Sequence, residues 1–168
     1  MKLFVVNDLL TSIKFTVNID WIDFNGKILK HWDNIEYTSK SDTADVVWEI
    51  DPHLFNDKRK DGFFRCVLKT DDGDTKTNYY FPTVYKDCNI KLAKINADVN
   101  KGPNGTSITL SADKPAFFVF LEANKVKKFS DNSLVLVPGE EVVINCKEDI
   151  TRDDLTIYQL AQVGDGKN

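Results

Sequence analysis

The sequence predicts an all-β protein built as two small antiparallel β-sandwiches in tandem. Three observations lead there. Apolar and polar residues alternate with period two along most of the chain, which puts successive side chains on opposite faces of a strand. Turn-forming residues recur about every 8–12 positions, the spacing of sandwich strands. No stretch sustains a 3.6-residue apolar period over three helical turns. One sandwich of this kind takes about 100 residues or fewer, and the chain has 168. With 42% hydrophobic residues it has the material for a core in each half.

The clearest element is Ser12 to Trp21. Its odd positions (Ile13, Phe15, Val17, Ile19, Trp21) are all apolar and its even positions polar. Asn25-Gly26 follows, a dipeptide that tolerates the positive φ of a tight hairpin. The spacing then predicts strands over Lys27 to Thr38 and Ala44 to Ile50, the second stopped at Asp51-Pro52 because proline withdraws a ladder donor. His53 to Asp61 is charged and reads as a loop or a short helical turn. Strands resume over Gly62 to Lys69 and Thr77 to Phe81, separated by the turn Asp71-Asp72-Gly73-Asp74 and closed by Pro82.

The polar stretch Thr83 to Asn89 is the expected seam, giving domains over 1–85 and 86–168. In the second half Asn89 to Val99 changes phase between Leu92 and Ile95, and Ser107 to Ser111 alternates. Pro115 to Leu121 is a continuous apolar run, the pattern of a strand buried on both faces. Ser133 to Val137 and Glu141 to Cys146, joined by Pro138-Gly139, read as a hairpin. Leu155 to Leu160 reads as the last strand, and Gly164 to Asn168 as a polar tail.

Several functions are disfavoured by composition. The 22 Lys and Arg against 26 Asp and Glu give a net charge of −4, with no basic stripe for nucleic acid. No apolar run approaches the roughly 20 residues of a membrane helix. Met1 to Asp8 turns polar too soon for a secretory apolar segment. Two histidines, His31 and His53, and three cysteines match no metal-ligand spacing. No cofactor motif or nucleophile elbow is present. Cys66 and Cys146 read as buried thiols and Cys88 as an exposed one.

Acidic residues are plentiful, but a glycosidase needs two facing each other roughly 5–9.5 Å apart across a cleft. Asp20 and Asp23 read as a solvated face beside Trp21, and Asp71, Asp72 and Asp74 as turn residues. Glu122, ending the apolar run, is the acid whose burial is of most interest. Trp21 reads as core. Trp32 and Trp48 read as core or cross-strand aromatics, or as sugar-stacking residues if they lie exposed on one face.

A more specific pattern runs through the second half. Thr77-Asn78-Tyr79-Tyr80-Phe81 closes one sandwich. Asn89 to Ile95, Pro115-Ala116-Phe117-Phe118-Val119-Phe120-Leu121 and the loop Phe129-Ser130-Asp131-Asn132 follow in order. This resembles the C-terminal region of β-mannosidases of glycoside hydrolase family 2, and Leu3-Phe4-Val5-Val6-Asn7-Asp8 is similar to the first strand after that family's catalytic barrel. The resemblance implies two tandem immunoglobulin-like domains from a larger enzyme that removes terminal β-mannose with retention. Its catalytic glutamates lie on a (β/α)₈ barrel, so no catalytic residue is assigned to this chain. The barrel and a β-mannoside are the implied partners, with no cofactor. Such enzymes occur in lysosomes and in the bacterial periplasm or exterior, which leaves the compartment open. Phe129 to Asn132 is the expected barrel-facing or pocket-rim loop. The alternatives are a stand-alone carbohydrate-binding module using Trp32 or Trp48, and a cell-surface adhesion module.

Overall fold

The computed structural model describes residues 1–164, so the tail expected beyond Gly164 lies outside the described residues. Within them the protein is all-β, with twelve strands in antiparallel sheets, three short 3₁₀ segments and one short helix at Leu160–Gly164. Two compact units emerge: Met1–Asp23 with Lys27–Asn89, and the chain from Ile90 onward with Phe24–Gly26.

The first unit has strands β1 (Lys2–Asn7), β2 (Ile13–Asp23), β3 (Ile28–Ser39), β4 (Thr43–Glu49), β5 (Gly62–Thr70) and β6 (Thr75–Tyr80). They form a four-stranded sheet in the order β3-β2-β5-β6 and a two-stranded sheet of β1 and β4. The alternation of β2 sets the core: Phe15, Val17, Ile19 and Trp21 are all buried, and Trp21 pairs across to Phe64 of β5. Phe55, on the 3₁₀ turn Pro52–Lys58, stacks obliquely on Trp21 at 5.1 Å between ring centroids. That turn begins where Asp51 accepts the His53 N–H at 2.9 Å, with proline in the first turn.

β4 follows β3 in the chain but lies in the other sheet, paired with β1. Polar side chains hold the corner. The Asn7 amide donates to the Thr11 and Lys40 carbonyls at 2.9 and 2.8 Å, and fully buried Ser39 donates to the Asp45 carboxylate at 2.8 Å. Satisfying these groups locally is what allows them to sit inside.

The second unit has strands β7 (Ile95–Gly102), β8 (Gly105–Ala112), β9 (Ala116–Glu122), β10 (Leu134–Leu136), β11 (Val142–Cys146) and β12 (Thr156–Tyr158). Its two three-stranded sheets run β11-β8-β7 and β10-β9-β12. The core is aliphatic, with Ile108, Leu110, Val119, Leu121, Leu136, Ile144 and Ile150 each at most 1% exposed. Gly105 sits at φ +117°, and a Cβ there would lie 2.1 Å from the Cys146 carbonyl, so only glycine fits.

Four expectations are corrected here. Ser133–Val137 and Glu141–Cys146 are not a hairpin: β10 pairs with β9 and β11 with β8, so Pro138-Gly139 carries the chain between sheets. The run Pro115–Leu121 is not buried on both faces. A bulge with Phe118 at φ +49° shifts its phase, leaving Phe118 and Phe120 exposed. The last strand is only Thr156–Tyr158, after which the chain turns helical. The segment before Ile95 is extended but outside the sheets. Its Ala93 is buried, donating to Gln159 Oε1 at 3.0 Å and accepting from Gln159 Nε2 at 2.8 Å, which accounts for the phase change there.

Candidate functional site

In the second unit the loop Phe129–Asn132 is held by its own hydrogen bonds. Phe129 bridges to Cys146 and packs on the aliphatic core. The Ser130 N–H donates to the Asn145 carbonyl at 2.8 Å, and the Asn145 N–H returns to Ser130 Oγ at 2.9 Å. Asn132 works as a substitute peptide group: its Oδ1 accepts from the Leu121 N–H at 2.8 Å and its Nδ2 donates to the Leu121 carbonyl at 3.0 Å. Asp131 accepts the Asn132 N–H at 2.7 Å and remains exposed. The loop thus presents one carboxylate on a rigid, aromatic-anchored support, with Ser130 and Asn132 bonded to backbone.

In the first unit the structure brings Trp32 and Trp48 together. Their rings meet edge to face, 5.1 Å apart at 69°, and both are half-buried against the core. Phe64 lies 6.3 Å from Trp32 and 6.1 Å from Trp48, and the Lys30 ammonium sits 5.0 Å from the Trp32 ring centre. This is the geometry of an aromatic core margin, in which ring edges meet ring faces.

Asp20 departs from the expected solvated face. It is buried, its Oδ1 is 2.5 Å from His31 Nδ1, and its other oxygen lies 4.0 Å from the Arg65 guanidinium. A buried carboxylate flanked by two basic groups is a structural ion cluster by geometry. Glu122 is exposed and accepts the Tyr158 hydroxyl at 3.0 Å. That bond, and then the carboxylate's charge, holds the Tyr158 phenol above its usual range. The Asp71–Asp74 turn is exposed and is closed by Thr70 on Asp72. Among the described residues no group of three or more His, Cys, Asp or Glu is placed to hold a metal. Nor is any helix among them long and apolar enough to cross a membrane.

The three cysteines are free thiols; Cys146 is buried, while Cys66 and Cys88 are both half-buried, so Cys88 is less open than its polar neighbours suggest. Burial, helped by the charge of Asp20, pushes the Cys66 thiol up to about 11, so it is a protonated thiol at neutral pH and a poor nucleophile.

One feature escaped the sequence reading. A groove of about 570 Å³ runs along one side of the first sandwich, with Leu3 and Phe4 of β1 on one lip and Asn78 and Tyr80 of β6 on the other. Phe64 and Cys66 form its floor. The available signal was Leu3 to Val6, four consecutive apolar residues in a strand whose outer side chains, Phe4 and Val6, are 58% and 62% exposed.

Comparison with known proteins follows this architecture. A family model described as a mannosidase Ig/CBM-like domain matches residues 1–87, and the Ig-fold domain model of mannosidases matches residues 90–163. The chain is similar in structure to the β-D-mannosidase of Dictyoglomus thermophilum, with a TM-score of 0.73 and 18% identity over 94% of this chain and 20% of that one. It is also similar to the exo-chitosanase of Amycolatopsis orientalis, with a TM-score of 0.58 and 15% identity over 94% of this chain and 24% of that one. At such identities the likeness is one of fold, and the chain spans only about a fifth to a quarter of these neighbours. No curated protein sequence matches it. With one mannosidase model over half of its length and a second over most of the remainder, the chain belongs to the immunoglobulin-like domain family of mannosidases.

Proposed function

We propose that this chain is the non-catalytic, immunoglobulin-like portion of a glycoside hydrolase family 2 β-mannosidase. In that reading its two domains pack on and support a (β/α)₈ barrel that removes terminal β-mannose with retention. The observation that carries it is the match to a β-D-mannosidase over 94% of this chain and only 20% of that enzyme. The loop Phe129–Asn132 supports it further, since a rigid loop with one outward carboxylate, Asp131, suits a contact on the barrel or the rim of its pocket.

The 168-residue chain is expected to leave p-nitrophenyl β-mannoside intact, and the longer protein containing it to hydrolyse that substrate with retained configuration. A longer protein active only on another glycoside would overturn the sugar assignment. The rim role of Asp131 has its own test. Asp131→Asn in the longer enzyme is expected to change kcat/KM several-fold with an unchanged melting temperature, and a stability loss with unaltered kinetics would reject it. A chain that holds sugar by itself needs exposed, coplanar aromatics; Trp32 and Trp48 meet at 69°, so calorimetry against mannan oligosaccharides should register no binding heat.

A further inference from the structure

One asparagine in the sequence, Asn104, is followed two positions on by a serine or threonine, in Asn104-Gly105-Thr106. That triplet is the acceptor pattern for N-linked oligosaccharide when the asparagine lies on an accessible loop and the middle residue is not proline. The structure meets the condition. Gly102 pairs with Gly105, so Pro103 and Asn104 form the tip of the β7–β8 hairpin, and both are exposed. Among the described residues no hydrogen bond holds the Asn104 amide, whereas the amides of Asn7 and Asn132 are bonded to backbone carbonyls. Beside the tip lies a hollow of about 400 Å³. Asn100, Ser107 and Asn145 line it, in one register row across β7, β8 and β11. These are uncharged amides and a hydroxyl, which exchange hydrogen bonds with sugar hydroxyls as they do with water.

We propose that Asn104 carries an N-linked oligosaccharide, and that it is transferred before the second unit folds. The order follows from Thr106. That residue is 2% exposed, and its hydroxyl donates to the Glu148 carbonyl at 2.9 Å and accepts the Ile150 N–H at 3.2 Å. In the folded unit, the hydroxyl that the triplet shows to a transferase is therefore inside, while the amide that receives the sugar is outside. Gly105 between them packs so closely that a Cβ would lie 2.1 Å from the Cys146 carbonyl, so the hairpin has no slack to turn Thr106 outward. In the transfer, Asn104 Nδ2 bonds to the anomeric carbon of the first sugar of a polyprenyl pyrophosphate-linked oligosaccharide. The bond from that carbon to the pyrophosphate oxygen breaks, polyprenyl pyrophosphate leaves with the electron pair, and one amide proton is released. The finished saccharide projects from the tip beside the polar hollow, and Thr106 takes its two bonds as the unit closes. The proposal implies a chain exported past a transferase, and it is independent of which glycoside the longer protein cleaves.

The test begins with the longer protein isolated from its own cells and read by peptide mass spectrometry. Asn-Gly pairs also lose ammonia spontaneously, so the readout is the intact glycopeptide rather than the aspartate left after deglycosylation. The peptide containing Asn104 should carry the mass of an oligosaccharide, and finding it at its unmodified mass would overturn the proposal. In the same cells Asn104→Gln should lose that mass with an unchanged melting temperature, and Thr106→Ser should retain it. A glycan that persists in Asn104→Gln lies elsewhere and would overturn the assignment. The order of events has a separate arm. The folded longer protein, made in cells lacking the transferase, and a synthetic peptide spanning 99–108 are each offered to an oligosaccharyltransferase with its lipid-linked donor. The folded protein should react at least tenfold more slowly at Asn104 than the peptide; equal rates would show that folding does not close the site and would overturn the order.

Discussion

The two sandwiches solve the same packing problem with different side chains. The first fills its interior with rings: Trp21, Phe55 and Phe64 cluster within 5.2 Å of one another centroid to centroid, and Trp32 and Trp48 close the margin. The second fills its interior mainly with aliphatic residues, Ile108, Leu110, Val119, Leu121, Leu136, Ile144 and Ile150 among them. The difference extends to how each begins. In the second unit the segment before the first strand is clamped by Gln159 through the Ala93 backbone, and in the first the Met1 amino group is bonded to the Ile50 carbonyl. Both interiors end in half-buried margins, ring edges in the first and residues such as Val99 and Ile157 in the second, so either chemistry fills a sandwich of this size.

The sharpest way to break this contrast is Trp21→Ala. Removing the ring at the centre of the aromatic cluster is expected to cost about 3–5 kcal/mol. All three tryptophans lie in the first unit, so the fluorescence of Trp32 and Trp48 during denaturant unfolding reads that loss directly. A cost near zero would mean the rings do not carry the first unit. Next in size is Gln159→Ala, which strands the buried N–H and carbonyl of Ala93 and should cost about 2–3 kcal/mol. Far-UV circular dichroism gives the stability, and the Ala93 amide should lose its exchange protection; a protected Ala93 in the variant would show that the segment is held by something else.

The smallest effect is in acid. The hydrogen bond from Lys125, then those from Thr151, hold the Asp154 carboxyl well below the usual carboxylate range. A folded pKa below the unfolded value of about 3.9 means that this contribution is full above about pH 4 and is lost as the pH falls through the folded value. Asp154→Asn should therefore lower stability above about pH 4, where the charged carboxylate contributes, and flatten the acid limb, the two proteins converging as the pH falls through the folded value. An unaltered acid limb would remove Asp154 from the account.

The fold was largely legible because period-two alternation is a local property and most strands here are half-buried. Ser12 to Trp21 announces its buried face, and that face is the core. What the sequence hid was non-local. Whether β4 pairs with β3 or crosses to β1 depends on a corner held by Asn7, Ser39 and Asp45, residues 38 positions apart at the extremes. The bulge at Phe118 converted an apolar run into a one-sided strand, and no neighbour-by-neighbour pattern shows a positive φ in advance. Asp20 looked solvated because alternation assigns a face, not what covers it; the partners His31 and Arg65 come from other strands. The groove was hidden for the same reason, since an unpaired edge is a fact about neighbours.

Two side-chain amides stand in for main chain in the second unit, Asn132 against Leu121 and Gln159 against Ala93. Each both donates and accepts, which a carboxylate cannot do. Hydrolytic loss of ammonia from either residue would set an anion against a carbonyl oxygen while changing the mass by about one dalton. Chemical ageing should thus open the second unit at those two clamps, and the first at the corner where the Asn7 amide meets two carbonyls.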